Sequence, residues 1–413
     1  MFKAIEHCRI CGNTELMPVL DLGKQSLTGV FPRNRSQEIT IGPLEVVRCI
    51  GDRNSCCGLV QLKHSFDLGE MYGNNYGYRS GLNNSMVKHL HKKANDILKI
   101  VTVERGDLII DIGSNDSTLL KAYGDHGYIL VGIDPTGNKF KKYYPTYIDL
   151  LPEFFSKELI NTHYGNKKAK IVTSIAMFYD LESPTVFAQQ VYDILSDDGL
   201  WILEQSYLPA MIEQNAYDTI CHEHLEYYSL RQIKWISDRV GFKIIDVEEN
   251  TVNGGSFSIT LAKSDSSYPE NETNILKLIH REKHLQEEET YRKFKGRVYD
   301  HREKLIELIR KKNDNKELLL GYGASTKGNV ILQFCNFTTE NIPYIAEINE
   351  DKFGSFTPGT HIPIISEKDA KEMKPAFFMV LPWHFKDNII AKENEYLKSG
   401  GKLLFPLPSI EVI

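Results

Sequence analysis

The chain has 413 residues, 41% of them apolar and 25% charged, which suits a soluble protein of two or three folded domains. The formal net charge of −6 and the lack of a long basic block argue against a nucleic-acid partner. No N-terminal signal region and no run approaching roughly 18 apolar residues is present. We therefore expect a cytoplasmic protein without a membrane anchor.

Residues 1–75 form the first predicted domain, which is rich in turn residues and has strand-like pieces at 17–22 and 44–48. Five of the seven cysteines lie in the first 57 residues, and this clustering favours metal ligation over disulfides. A segment with so few apolar residues cannot form a stable hydrophobic core of its own and needs a cross-link such as a bound metal. Four thiolates satisfy a tetrahedral structural Zn²⁺ ion. The predicted zinc ligands are Cys8, Cys11, Cys49 and Cys57.

The fourth ligand is chosen from two adjacent cysteines. Glycine follows Cys11 and Cys57 alike, as suits a tight turn around a metal, so Cys57 is predicted in preference to Cys56. His7 and His64 are alternative ligands. Buried free thiols are the alternative to a zinc site.

Residues 76–265 alternate strand-like and helical patterns, which predicts a Rossmann-like parallel sheet covered by helices. The predicted strands are 108–112, 129–133, 169–173 and 199–203, with 243–247 and 257–262 at a sheet edge.

A ligand site is predicted where the first two of these strands end. Gly113 allows a sharp turn and close approach of a ligand, and Asp134 brings a carboxylate suited to ribose hydroxyls. The turn lacks the G-x-G-x-x-G pattern of nicotinamide sites, which favours S-adenosylmethionine; an ordinary strand-to-helix turn is the alternative. The predicted cofactor contacts are Asp111, Gly113, Asn115, Asp116, Asp134 and Pro135.

A polar and aromatic cluster at 221–229 follows the strand 199–203. Because ligands bind outside the carboxyl ends of such strands, a histidine here is a candidate general base, and Glu223 could orient it. His222 and His224 could instead bind a metal or serve only the structure.

Residues 266–413 begin with a charged helical stretch at 273–312, which we interpret as a linking helix with one packing face. Strand candidates at 317–323, 342–346 and 376–381 then predict a second, smaller Rossmann-like domain.

Taken together, the motifs resemble the sugar C-methyltransferases that act on nucleotide-linked ketosugars in deoxysugar biosynthesis. The resemblance covers nearly the whole chain. Its motifs are C-R-I-C-G at 8–12, D-L-G at 21–23, C-G-L-V-Q at 57–61, Y-G-Y-R-S at 76–80, I-G-S-N-D at 112–116, H-E-H at 222–224, Y-S at 228–229, G-G-S at 254–256, G-Y-G-A-S-T-K-G-N at 321–329, P-G-T-H-I-P at 358–363 and L-P-W-H at 381–384.

The resemblance implies a zinc module, a methyl-donor domain and a C-terminal Rossmann-like domain, with a nucleotide-linked sugar between the last two. It assigns proton removal beside the keto group to His224, with Glu223 next to it. It also brings Tyr76 and Tyr78 near the donor and the reacting centre; these tyrosines or His222 could hydrogen-bond the enolate oxygen.

The turn at 321–329 offers backbone N–H groups, hydroxyls and a lysine to a pyrophosphate, although a role in packing alone is the alternative. The predicted substrate contacts are Gly323, Ser325, Thr326, Lys327 and Asn329.

Three departures from the family pattern stand out. Ser117 replaces the usual glycine of the loop that follows strand 108–112 and is predicted to bind the methyl donor, here called the donor loop. An insertion separates Cys49 from Cys57, and Ser258 stands where many relatives place arginine. An O- or N-methyltransferase and a non-catalytic sugar-nucleotide-binding protein are the alternative functions, and we expect a monomer or weak dimer.

Overall fold

The computed structural model describes residues 2–52, 55–72 and 78–413. The architecture is α/β: two small sheets of two and four strands at the N-terminal part, a seven-stranded central sheet and a six-stranded C-terminal sheet. No helix within these three ranges is both long enough and apolar enough to cross a bilayer.

The N-terminal part is mostly antiparallel. Its elements are β1 (Phe2–Ala4), β2 (Leu16–Ser26), β3 (Ile41–Cys49), β4 (Val60–Leu62), β5 (His64–Phe66) and α1 (Leu68–Met71). The strands predicted at 17–22 and 44–48 are confirmed as parts of β2 and β3. Apolar side chains of β2 and β3 belong to the same core as the C-terminal sheet, so this module stabilises itself against another domain.

The central part contains more elements than either of the other two parts. They are α2 (Asn84–Ile100), β6 (Leu108–Ile112), α3 (Thr118–Lys121), β7 (Ile129–Ile133), α4 (Gly137–Phe140), β8 (Ile148–Leu151), α5 (Lys157–Tyr164), β9 (Ala169–Ile175), α6 (Pro184–Ile194), β10 (Leu195–Ser206), α7 (Leu208–Glu213), β11 (Glu226–Tyr227), α8 (Leu230–Val240), β12 (Phe242–Asn250) and β13 (Ser256–Lys263). All six predicted central strands are confirmed.

The central sheet has the order β12-β13-β10-β9-β6-β7-β8. Strands β8, β7, β6, β9 and β10 are parallel, and β13 runs antiparallel to both of its neighbours. All five residues of β6 are buried, as expected for a strand covered by helices on both faces. The carboxyl ends of β6 and β7 therefore lie side by side at one edge.

Two helices link the central and C-terminal sheets: α9 (Glu272–Arg281) and α10 (Glu288–Asp314). The continuous helix predicted at 273–312 is wrong in one respect, because a 3-10 turn at Glu282–Gln286 interrupts it. The buried Glu282 carboxylate accepts hydrogen bonds from Tyr207 Oη (2.9 Å) and Leu230 N (2.7 Å), which holds the chain at the start of α8.

The C-terminal part is the second α/β unit. Its elements are β14 (Leu319–Tyr322), α11 (Thr326–Phe334), β15 (Ile345–Glu347), β16 (Ile364–Ser366), α12 (Glu367–Glu372), β17 (Phe377–Val380), α13 (Lys386–Lys392), α14 (Asn394–Lys398), β18 (Lys402–Phe405) and β19 (Glu411–Val412). The sheet order is β16-β15-β14-β17-β18-β19, with only β19 antiparallel among these strands. The predicted Rossmann-like arrangement is confirmed.

Candidate active site

A cavity of about 940 Å³ lies where the three parts of the chain meet. This volume is at the upper end of the range typical of ligand pockets, so it offers space for more than one small molecule. Its lining includes, from the central part, Asp111, Gly113, Asn115, Asp134, Pro135, Glu223 and His224, and from the C-terminal part, Gly323, Ser325, Thr326 and Lys327.

The loop after β6 is fixed by the carboxylate that ends β7. Asp134 Oδ2 accepts a hydrogen bond from Asn115 N, and Oδ1 accepts one from Thr136 N, both at 2.8 Å. Asn115 has a φ of +48° and Ser117 a φ of +61°, both in the left-handed region. The second value gives a physical reason for the glycine that relatives carry at the position of Ser117.

Asp111 lies at the floor of the cavity and is 3% exposed. Its Oδ1 accepts a hydrogen bond from Thr173 Oγ1 at 2.6 Å. Burial raises the pKa of Asp111 to about 7. The carboxyl group therefore joins β6 to β9 at the edge of the cavity.

Asp116 does not line the cavity, which corrects the sequence-based placement. Its carboxylate accepts hydrogen bonds from Gly81 N (3.0 Å) and Thr118 Oγ1 (2.5 Å). Asp116 therefore anchors the segment before α2 to the donor loop. Tyr78, in that segment, lines the cavity, whereas Tyr76 lies outside the described residues.

His224 faces the cavity as a neutral base. Its Nδ1 lies 2.8 Å from Thr219 O, and because a carbonyl only accepts, Nδ1 carries the proton and Nε2 the lone pair. Burial, assisted by the charge of Lys327, lowers the pKa of His224 to about 3. The ring packs on Tyr179 with centroids 4.3 Å apart.

Glu223 also lines the cavity, but it contacts the N-terminal module. Its Oε2 accepts a hydrogen bond from Thr28 Oγ1 at 3.4 Å, and burial raises its pKa. The orienting partner of the His224 ring is the Thr219 carbonyl, so the sequence-based suggestion that Glu223 orients this ring is corrected.

His222 is turned away from the cavity. Its ring makes an edge contact with Phe66 at 4.6 Å, Nδ1 lies 3.4 Å from Thr28 N, and the residue is fully buried. Among the described residues it does not line the cavity, so a direct role in binding the enolate oxygen is corrected to a packing role.

The C-terminal turn is shaped by glycine and by a helix cap. Gly323 has a φ of +81°, and a Cβ atom there would lie 2.7 Å from the Pro382 ring. Ser325 Oγ accepts a hydrogen bond from Gly328 N at 3.0 Å and caps α11. Asn329 does not line the cavity; its Nδ2 donates to Thr28 O at 2.7 Å, which corrects its predicted substrate contact.

Several cavity residues were missed by sequence reasoning. Gly29 of the N-terminal module is one: a Cβ atom there would lie 2.0 Å from Glu223 Oε1 and 3.5 Å from Thr326 Oγ1. Nothing local in the sequence identifies it. His384 and Lys352 also line the cavity, and only His384 belongs to a motif singled out above.

The four predicted zinc ligands come together. The sulfur atoms of Cys8, Cys11, Cys49 and Cys57 all lie within 4.8 Å of one another, and the Cys8–Cys57 distance is 3.4 Å. A Zn–S bond length of about 2.3 Å requires sulfur separations of about 3.8 Å, so this set fits a tetrahedral ion. The choice of Cys57 over Cys56 is supported by this cluster.

The zinc module carries the segment that contains His224. Strand β11 pairs with β4 of the module, and Leu62 N donates to Leu225 O at 2.8 Å. Gln232 Nε2 also donates to Cys57 O at 2.8 Å. The metal site is therefore connected to the candidate base through a short run of backbone pairing.

Three family models match successive parts of the chain. A zinc binding domain matches residues 8–72, a methyltransferase domain residues 86–247, and a C-methyltransferase C-terminal domain residues 251–408. The curated C-methyltransferase NovU of Streptomyces niveus is 28% identical over 418 residues, which cover 100% of this chain and 97% of NovU.

The chain is an S-adenosylmethionine-dependent methyltransferase that is similar to C-methyltransferases over its full length. The observation that decides this is the succession of all three domains of such an enzyme in one chain. The enzyme class, the methyl donor and the structural zinc predicted from the sequence are thereby confirmed.

Two solved structures each match less than half of this methyltransferase. The complex between the Haloferax volcanii Trm112 methyltransferase activator and a methyltransferase matches with a TM-score of 0.35 and 14% identity, covering 44% of this chain and 94% of that chain. The plantazolicin methyltransferase BpumL in complex with a triazolic desmethylPZN analog and SAH matches with a TM-score of 0.36 and 11% identity. The match covers 45% of this chain and 87% of that chain.

The donor loop of this methyltransferase fits S-adenosylmethionine. A Cβ atom on Gly113 would lie 3.0 Å from Met177 Cγ, so glycine keeps the loop open to the cavity. Asp134 stands where related folds hold ribose hydroxyls. When bound, S-adenosylmethionine supplies an electrophilic methyl group.

Proposed function

We propose that the chain methylates a carbon atom beside the keto group of a nucleotide-linked sugar. One observation carries this proposal: the donor loop, the neutral His224 and the turn at 323–327 line the same cavity. A carbon acid needs a base, a site for a polar carrier group and a methyl donor within one enclosure, and these residues offer all three.

His224 is proposed to remove the proton. Its Nε2 accepts the proton from the carbon, the C–H electron pair forms the C=C bond of an enolate, and the carbonyl π pair moves to oxygen. The Thr219 carbonyl holds the imidazole ring and stabilises the imidazolium that results. Tyr78 is proposed to lie near the donor and the reacting centre.

The sugar nucleotide is proposed to place its diphosphate at the start of α11. Gly323 allows close approach to the turn, and the N-terminus of this nine-residue helix offers backbone N–H groups, beside the hydroxyls of Ser325 and Thr326. Lys352 adds a positive charge at the same place, since its Nζ donates to Ala324 O at 2.7 Å. We propose that the protein acts in the cytoplasm as a monomer or weak dimer.

Solvent exchange tests this function without the methyl donor. Purified protein is incubated in D₂O with a panel of nucleotide-linked ketosugars, and the sugar mass is followed. We expect deuterium to enter beside the ketone of one member, and a methyl group to be added when S-adenosylmethionine is present. His224→Asn should abolish exchange while donor binding, measured by calorimetry, is retained.

Methylation of a hydroxyl or amine without any carbon-bound deuterium would contradict the ketosugar chemistry. If the wild-type protein does not bind S-adenosylmethionine, a non-catalytic sugar-nucleotide-binding protein is favoured instead.

A further inference from the structure

Lys327 is a cation that faces the cavity without a carboxylate partner in contact. It lies in the first turn of α11, and its Nζ donates to Asn253 O at 2.8 Å. Within the described ranges, no carboxylate oxygen lies within the 4.0 Å of an ion pair. Because a partly buried ammonium group loses hydration and makes no ion pair here, such a position favours a ligand that supplies negative charge.

The groups that face Lys327 come from three segments. Asp218 is fully buried, and its Oδ2 accepts a hydrogen bond from Trp383 Nε1 at 2.7 Å. Cys221, His224 and His384 line the same cavity as Lys327, and the Lys327 charge lowers the pKa of both histidines. Lys327 and the candidate base therefore face the same space.

Two other cavity lysines have different surroundings. Lys392 donates to both carboxylate oxygens of Glu367, at 2.6 and 2.8 Å, so its charge is neutralised. Lys352 is bonded to Ala324 O in the turn after β14, and Glu347 faces it. The location of Lys352 suits a phosphate at the turn, which leaves Lys327 available for another anion.

We propose that Lys327 binds the keto oxygen of the substrate and stabilises the enolate that forms there. This inference rests on the proposed function. The proton passes from the carbon to His224 Nε2, the C–H pair becomes the C=C bond, and the new negative charge resides on the oxygen beside the Lys327 ammonium. An ammonium destabilised by burial gains most when that charge develops, so the contact favours the transition state over the bound ketone.

The inference replaces the phosphate contact predicted for Lys327 from the sequence, and the two roles have opposite kinetic consequences. A phosphate contact is made equally in the ground state and the transition state, so its loss weakens binding. An enolate contact is made mainly in the transition state, so its loss slows proton removal while binding is kept.

The test compares Lys327→Gln, Lys327→Arg and Lys352→Gln with the wild-type protein. The exposed Lys311→Gln on α10 is the matched control. The probe is the nucleotide-linked ketosugar of the panel that the wild-type protein exchanges fastest. Its affinity is measured by calorimetry, and the rate of deuterium uptake is measured at saturation without the donor. Thermal melting and zinc content establish that each variant is folded.

We expect Lys327→Gln to slow saturated exchange by about 10²–10³-fold, the usual effect of losing one oxyanion donor, with Kd within about threefold. Lys327→Arg should restore part of the rate. Lys352→Gln should weaken binding about tenfold or more and keep the saturated rate. Because the Lys327 charge lowers the pKa of His224, the acid limb of the exchange profile should move to higher pH in Lys327→Gln.

If the saturated exchange rate of Lys327→Gln is within about threefold of the wild-type rate, this inference alone is overturned, whether or not Kd changes. Absence of exchange by the wild-type protein with every ketosugar of the panel would overturn the proposed function and this inference together.

Discussion

At the scale of single residues, the site depends on close contacts between distant parts of the chain. Gly29 has no side chain, and the space that a Cβ atom would fill is taken by Glu223 Oε1. Glu223 precedes the candidate base directly in sequence. The absence of one methyl group in the N-terminal module therefore sets the position of the catalytic segment.

Gly29→Ala should consequently impair the reaction more than the fold. The added methyl group must displace Glu223, and we expect deuterium exchange to fall by about tenfold or more, since small misplacements at a reacting centre are costly. The free energy of unfolding should fall by about 1–3 kcal/mol. Exchange kinetics and chemical denaturation measure the two effects.

Gly296→Ala is the matched control. Gly296 lies within α10, and no atom lies within 4 Å of the added Cβ. This variant should gain roughly 0.5–1 kcal/mol of stability and keep full exchange activity. Equal activity in Gly29→Ala and Gly296→Ala would contradict the role assigned to Gly29.

At the scale of elements, the zinc cluster and the catalytic segment share one sheet. Strand β11 follows His224 directly and pairs with β4, whereas β3 ends at the ligand Cys49. The metal has no part in the chemistry when four thiolates hold it, because no coordination position remains open. Its effect on activity should pass through the position of β11.

Cys8→Ser and Cys57→Ser should each lose zinc, and the free energy of unfolding should fall by more than about 3 kcal/mol. Amide hydrogen exchange at residues 222–227 should accelerate, since pairing of β11 with β4 weakens. Cys56→Ser should keep its zinc, because Cys56 stands outside the four-sulfur cluster. Zinc loss in Cys56→Ser with retention in Cys57→Ser would reverse the ligand assignment.

The strands that could be predicted best from the sequence are those that are buried on both faces of the sheet. Strands β6 and β7 coincide with the runs predicted at 108–112 and 129–133, because buried parallel strands are continuous apolar segments. Helix α2 was not predicted, although its buried residues Met86, Leu90, Ala94 and Ile97 recur at helical spacing. Strand β11 was missed because two residues carry no periodic signal.

The site was predictable only in its local parts. Donor-loop residues and the zinc ligands follow from spacing along the chain. The positions of Gly29 against Glu223 and of Lys327 in the same cavity as the base depend on how three domains pack, which no local pattern encodes.

At the scale of the whole molecule, all three parts of the chain line one cavity, and no part forms this cavity by itself. The N-terminal module and the C-terminal sheet share one apolar core, while the central sheet supplies the donor loop and the base. The reactants would therefore be enclosed between parts that are held together by packing. This arrangement fixes their relative orientation, which accounts for much of the rate enhancement in such reactions.

A crystal structure of the protein with S-adenosylhomocysteine and a thymidine-diphosphate-linked ketosugar tests the central claim most directly. We predict that the cofactor product contacts Gly113 and Asp134, and that the carbon beside the ketone lies about 3–3.5 Å from His224 Nε2. A sugar nucleotide bound outside this cavity, or a His224 ring directed away from that carbon, would contradict the account.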